Sequence, residues 1–282
     1  MNGHQKAPAP VGKRKQKEIP SVLDRYEAKY TIPESMIDAI ADFISPYCSF
    51  DKYSEMSEDG FYKVNSLYFD SPEYLFLRQR LLKTETRFNM RIRTYNDNPQ
   101  LPYYLEIKQK RGDVIRKFRA KAHDDNLEAL FCAPAMAQYD AEDETQKANT
   151  DLFLRMATMY NAQPKVIVQY NRKAFVSNYE EYARVTFDIG LRYMQENAYN
   201  PVPVLEKTIP CDVESCFDEG CTVILELKCY ASFVPLWMID LVRAFQLKRR
   251  GFSKYSTCIR PFFNRYRYDR AVMRSPVCER IY

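Results

Sequence analysis

The sequence predicts an α+β protein built on an eight-stranded antiparallel β-barrel, with a charged lumen and peripheral helices. Three observations lead there. Eight segments alternate charged and apolar residues with a period of two, starting near residues 24, 62, 87, 103, 114, 164, 182 and 222. Their charged faces are mostly cationic, whereas a solvated face usually mixes both signs. Several amphipathic helical stretches need apolar partners, which outward-facing greasy sheet surfaces would supply.

The clearest stretch runs from Phe88 to Lys121, three strands divided by turns at Asn96-Asp97-Asn98-Pro99 and Arg111-Gly112-Asp113. Strand side chains two apart share a face. That rule groups Arg87, Arg91 and Arg93, then Glu106, Lys108 and Lys110, then Lys117, Arg119 and Lys121. The opposite faces carry Phe88, Met90 and Ile92, then Tyr103, Leu105 and Ile107, then Val114, Phe118 and Ala120, with Arg116 as the misfit.

In chain order, residues 1–19 read as a disordered basic tail carrying Lys13, Arg14, Lys15 and Lys17. Asp24 to Thr31 is a strand with Arg25, Glu27 and Lys29 on one face. A helix follows from Pro33, with Ile37, Ile40, Ala41 and Ile44 as its stripe. Tyr62 to Asp70 is a strand closed by Ser71-Pro72. After the three central strands come an acid-capped helix from Asp124 to Phe131, a polar acidic loop to about 149, and a short helix from Asp151 to Tyr160. Pro164–Phe175 and Glu181–Ile189 form a hairpin whose second arm sets Arg184, Thr186 and Asp188 against Val185, Phe187 and Ile189. An irregular passage (192–221) precedes Thr222–Tyr230, where Glu226 and Lys228 oppose Val223, Leu225 and Leu227. A helix from Pro235 to about Lys248 is stopped by Gly251, and Phe252 to Ser256 returns toward the sheet. The division expected is a tail (1–19), one main domain (20–262) and a basic aromatic extension (263–282).

With 46% apolar residues the chain folds around a real core. Seven glycines with no GxGxxG or GxxxxGK[ST], and two histidines, leave no Gly-rich phosphate loop and little room for histidine chemistry. The eight cysteines lack the spacing of paired zinc knuckles and read as buried thiols. The longest apolar stretch, Phe233 to Val242, contains Asp240 and is too short to span a bilayer. No secretory signal opens the chain, so a cytoplasmic location is expected.

The charged face should look inward. Counting Lys254, the strand faces carry fourteen cations against Glu27, Glu106, Asp188 and Glu226, a surplus of ten in a chain of net charge +5. The rest of the molecule is therefore net acidic. Eight strands can enclose one slender ligand, and a lumen so lined needs a polyanion, because unpaired charges held away from water are costly. A sandwich with meeting apolar faces and solvated charges stays open on pattern alone.

Eight tetrapeptide-scale matches carry a resemblance: Glu27-Ala28-Lys29-Tyr30, Ser66-Leu67-Tyr68-Phe69-Asp70, Arg91-Ile92-Arg93, Leu105-Glu106-Ile107-Lys108, Tyr170-Asn171-Arg172, Arg184-Val185-Thr186-Phe187-Asp188, Leu225-Glu226-Leu227-Lys228 and Phe252-Ser253-Lys254-Tyr255. In this order, over about residues 22 to 262, the chain resembles the VTC domain. That is the polyphosphate polymerase branch of the CYTH-like triphosphate tunnel metalloenzymes. The resemblance implies a tunnel that binds ATP and inorganic polyphosphate with Mn²⁺ or Mg²⁺, and transfers the ATP γ-phosphate to the growing chain. It places Arg91, Arg93, Arg184 and Lys254 at the transferring group. Lys29, Lys108, Lys117, Arg119, Arg172, Lys228 and Ser256 would hold phosphates. Glu226 would be the main metal carboxylate, with Glu27 and Glu106 as further candidates. The related triphosphatases have two glutamates before the first-strand lysine; here the earlier position is Arg25, which favours the polymerase branch. A triphosphatase of the same tunnel and a non-catalytic polyanion binder are the rivals. RNA is the weaker ligand, since a pure anion binder gains nothing from the retained glutamates. Oligomeric state is left open.

Overall fold

The computed structural model describes residues 25–96, 99–112, 114–123, 127–132, 143–211 and 220–264. The expected basic tail (1–19), much of the acidic loop and the C-terminal extension lie outside them. The elements in chain order are β1 (Arg25–Ile32), α1 (Met36–Ile44), β2 (Cys48–Phe50), α2 (Lys52–Glu55), β3 (Tyr62–Asp70), α3 (Leu75–Leu81), β4 (Thr86–Tyr95), β5 (Tyr103–Arg111) and β6 (Val114–Ala122). There follow α4 (Leu127–Cys132), α5 (Glu144–Met159), β7 (Gln163–Ser177), β8 (Ala183–Gln195), β9 (Ile209–Pro210), β10 (Val223–Tyr230), α6 (Leu236–Ala244) and α7 (Lys254–Asn264).

The eight predicted strands are all present. They form one antiparallel sheet in the order β1-β10-β8-β7-β3-β4-β5-β6, curled into a half-barrel, with the short β2 on β7 and β9 on β8. Among the described ladders none joins β1 to β6. The seam is bridged in other ways. Lys108 of β5 donates to Glu27 of β1 at 2.7 Å, and Arg250 donates its N–H to the Lys29 carbonyl at 2.8 Å, laying Arg249-Arg250 along the β1 edge.

The register turns the period-two pattern into two surfaces. Met90 pairs with Ile107 and Ile107 with Phe118, while Arg91 pairs with Glu106 and Glu106 with Arg119. The apolar set packs outward under helices: Met90, Ile92, Leu105 and Ile107 meet Phe76 of α3 and Phe153 and Ala157 of α5. On the other flank Val185, Phe187, Leu225 and Leu227 meet Ile37, Ile40 and Ile44 of α1 and Trp237, Met238 and Leu241 of α6. A third apolar cluster joins Tyr68, Val168, Tyr170, Leu191 and Ile224 to Tyr255, Cys258 and Ile259 of α7. The greasy-centred sandwich is thereby excluded.

Three expectations change. Phe252 to Ser256 does not return as sheet: Arg249 makes the bridge to Tyr30, and Lys254 opens α7. The helix expected from Asp151 begins at Glu144, because the Asp143 carboxylate accepts the Thr145 N–H at 2.8 Å and starts it about two turns early. The helix from Pro235 ends at Ala244, with Gln246 taking the left-handed conformation (φ 48°) ahead of Gly251. Buried thiols are found at Cys48 and Cys229, and burial pushes the Cys48 thiol up to about 12. Among the described residues no helix is long and apolar enough to cross a membrane.

Asp70 ties three of these elements together. Its carboxylate accepts the N–H groups of Ser71, Phe76 and Leu77 and the Tyr255 hydroxyl, joining the end of β3 to the first turn of α3 and to α7. Asp70→Ala orphans these buried donors and is expected to cost about 3 kcal/mol of stability, read as a lower denaturant midpoint at unchanged slope.

Candidate functional site: a cationic lumen

The concave face of the sheet encloses a cavity of about 1340 Å³. Among the described residues, eighteen lysines and arginines line it against three carboxylates, Glu27, Asp51 and Glu226. Of the fourteen cations placed on this face by strand alternation, only Lys121 does not line the cavity.

Two buried glutamates organise the charge. Glu106, 2% exposed, sits beneath the wall of β4, β5 and β6. Arg91 grips it through Nε (2.9 Å) and Nη2 (2.7 Å), with Lys117 at 2.7 Å, Arg119 at 3.3 Å and Arg93 at 3.8 Å. Glu226, 4% exposed, lies five positions away in the sheet order, on the facing wall. Lys29 (3.1 Å), Lys254 (3.0 Å), Lys228 and Arg172 (3.7 Å) surround it. Asp188, 1% exposed, holds Arg172 through Nε at 2.7 Å and Nη2 at 2.8 Å and also meets Lys254. Tyr170 links the clusters: its hydroxyl accepts from Arg93 at 3.4 Å, and Lys254 lies 4.6 Å from its ring centre.

The electrostatics follow from this packing. Burial disfavours the charged carboxylates, but Arg93, Arg91 and Lys117 hold Glu106 well below the usual range, and Lys228, Lys254 and Lys29 do the same for Glu226. Lys254 is driven up, because Asp188 and Glu226 outweigh its burial. Lys117 goes the other way: burial, with Arg93 and Arg91 close by, pulls it down to about 7 despite Glu106.

Arg91, Arg93, Lys254, Lys29, Lys108, Lys117, Arg119, Arg172, Lys228, Glu27 and Glu226 all come together on the lumen. Arg184 lines it from an exposed position opposite Lys228, away from the Glu106 cluster. Ser256 does not line it; its hydroxyl is spent on the Ser253 carbonyl at 3.2 Å within the first turn of α7. Glu106 does not line the cavity; it is the counter-ion of Arg91, Arg93, Lys117 and Arg119 in the wall behind it. Glu27 and Glu226 do face the lumen and share the Lys29 ammonium at 3.1 Å each. Among the described residues no group of three or more His, Cys, Asp or Glu could hold a metal alone. Two carboxylates completed by ligand phosphate oxygens do fit a hard divalent cation. The sequence reading missed Lys52, Arg80, Arg249 and Arg250, which lie outside the main strands where alternation carries no signal, and Arg116, which parity on β6 had assigned to the opposite face.

Residues 24–263, which build this lumen, match the family model described as the VTC domain. The chain belongs to the VTC domain family. The VTC domain here is thus a tunnel-fold domain of a family linked to nucleotide and polyphosphate binding. No curated protein matches its sequence. Among solved structures, a candidate adenylate cyclase from Bacillus halodurans aligns at 10% identity and TM-score 0.45, over 83% of this chain and 95% of that one. The PH1819 protein of Pyrococcus horikoshii aligns at 11% identity and TM-score 0.39, over 82% and 94%.

Proposed function

We propose that this VTC domain is a polyphosphate polymerase that transfers the γ-phosphate of ATP to the end of an inorganic polyphosphate chain. The observation that carries the reading is the pair of facing cation clusters, each locked on a buried glutamate, with room for a phosphate train between them. Phosphoryl transfer asks for alignment and charge neutralisation more than for a protein nucleophile. A terminal phosphate oxygen of the acceptor forms a bond to the γ-phosphorus. The bond from that phosphorus to the β–γ bridging oxygen breaks, and ADP leaves with the electron pair. Arg91 and Arg93 clamp the transferring group through their guanidinium forks, while Lys29, Lys254, Lys228 and Arg172 neutralise its neighbours. Mn²⁺ or Mg²⁺ held by Glu226 with Glu27 would add Lewis-acid neutralisation of phosphate oxygens.

Hydrolysis of ATP or tripolyphosphate is the second reading. It is disfavoured because a water nucleophile calls for a general base. Among the described residues no histidine lines the cavity, and Glu27 and Glu226 are held well below the usual carboxylate range. An anionic acceptor needs no such base. Incubation with ATP and Mn²⁺ followed by gel analysis separates the readings: a polyphosphate ladder supports polymerisation, orthophosphate alone supports hydrolysis, and unconsumed ATP leaves only anion binding.

The position of Lys117 sets a pH dependence. An anion bound beside it raises its pKa above the free value of about 7. Below pH 7 the ammonium is already charged and affinity is flat with respect to this group; above pH 7 binding must take up a proton, so affinity falls. Calorimetry of tripolyphosphate binding at pH 8 in two buffers should show up to one more proton taken up by wild type than by Lys117→Arg. Equal uptake would show that Lys117 is charged throughout.

A further inference from the structure

We propose that Arg80 and Arg87 form a second anion subsite at the α3 end of the lumen, which takes the distal phosphates of a polyphosphate chain and confers a preference for long chains over a triphosphate. The proposal rests on the polyphosphate reading of the same lumen and assigns chain-length selection to two residues.

Arg80 reaches the cavity from α3 and Arg87 from β4. Both differ from the cations of the two glutamate clusters: among the described residues neither has a carboxylate within ion-pair distance. They are nevertheless held in place. Arg87 donates from Nη1 to the Thr84 carbonyl at 2.7 Å, and Arg80 from Nη2 to the Phe252 carbonyl at 3.4 Å. The Arg87 Nε is buried without a hydrogen-bond partner. Burial, and then the nearby Arg87, disfavour the charge on Arg80 and outweigh the more distant attraction of Glu27. Two guanidinium groups kept close with an unmet donor cost stability in the empty protein. A phosphate placed between them removes that cost, because its oxygens match the planar fork.

The placement along the bore supplies the selectivity. Arg87, Asn89 and Arg91 follow one another on the inner face of β4, so Arg87 lies roughly 13 Å along the strand from Arg91. Lys110 stands directly across from Arg87 on β5 and also lines the cavity. A triphosphate seated between the Glu106 and Glu226 clusters does not extend to this end. A longer chain does, and gains contacts there that the triphosphate lacks.

The test is equilibrium binding of tripolyphosphate and of a long polyphosphate at fixed salt, to wild type and to Arg80→Gln, Arg87→Gln and the double variant. The double variant should bind the long chain about tenfold more weakly, the loss expected from charge-assisted hydrogen bonds, and hold tripolyphosphate within about twofold. Its affinity for the long chain should also become less steeply salt-dependent. Lysine at both positions keeps the charge without the fork and should recover part of the loss. Equal losses on both ligands, or an undiminished affinity for the long chain, overturn the subsite while leaving the polymerase reading intact. A folded wild-type protein that binds neither ligand overturns both.

Discussion

Replacing Glu106 by glutamine is expected to lower the melting temperature by about 10 °C. The carboxylate is the shared counter-ion of Arg91, Arg93, Lys117 and Arg119 inside the wall of the lumen. Removing one member of a buried ionic cluster costs about 3–5 kcal/mol, and each kcal/mol moves the midpoint of a domain this size by about 2–4 °C. Glutamine keeps the volume, so the loss is electrostatic. Polyphosphate should therefore raise the melting temperature of the variant by more than it raises that of wild type, since a bound anion supplies the missing negative charge. A variant that melts with wild type would mean that the four cations are solvated and need no internal partner.

The second large effect concerns the reaction. Arg93→Ala should slow ATP-dependent chain growth by roughly 10²–10³-fold, the scale of removing one preorganised donor to developing charge. The fold should survive, because Glu106 keeps Arg91, Lys117 and Arg119 as partners. Arg93 is 7% exposed, donates to Tyr170 and belongs to both the Glu106 cluster and the lumen lining, so its guanidinium is fixed before substrate arrives. Arg93→Lys should restore charge without bidentate geometry and recover little. The readout is the initial rate of polyphosphate formation from ATP alongside a melting curve. A rate within a few-fold of wild type would remove Arg93 from the clamp.

Much of the lumen was legible because a strand fixes direction by parity. Once Met90 and Ile92 are read as outward, Arg91 and Arg93 have no other place to go, and the ladder register carries the same rule to Lys108, Lys117 and Lys228. Parity fails where the side chain comes from a helix or a loop. Arg80 on α3 and Arg250 beside β1 reach the cavity through tertiary placement, which no short-range pattern encodes. The same limit hid the start of α7: Phe252 to Ser256 read as a return toward the sheet, whereas the apolar cluster that joins Tyr255, Cys258 and Ile259 to Tyr68, Tyr170 and Ile224 goes with a helix from Lys254. Depth was equally invisible. Alternation placed Glu106 and Glu226 on the same kind of face, and each is surrounded by four cations, yet Glu226 lines the cavity and Glu106 does not. That difference separates a counter-ion from a candidate metal carboxylate.

The most direct test of the central claim is a crystal structure with tripolyphosphate bound. The account predicts phosphate density between the two walls, with oxygens on Arg91 and Arg93 from one side and on Lys29 and Lys254 from the other. Phosphate found only on the outer surface, with the lumen holding solvent, would contradict it.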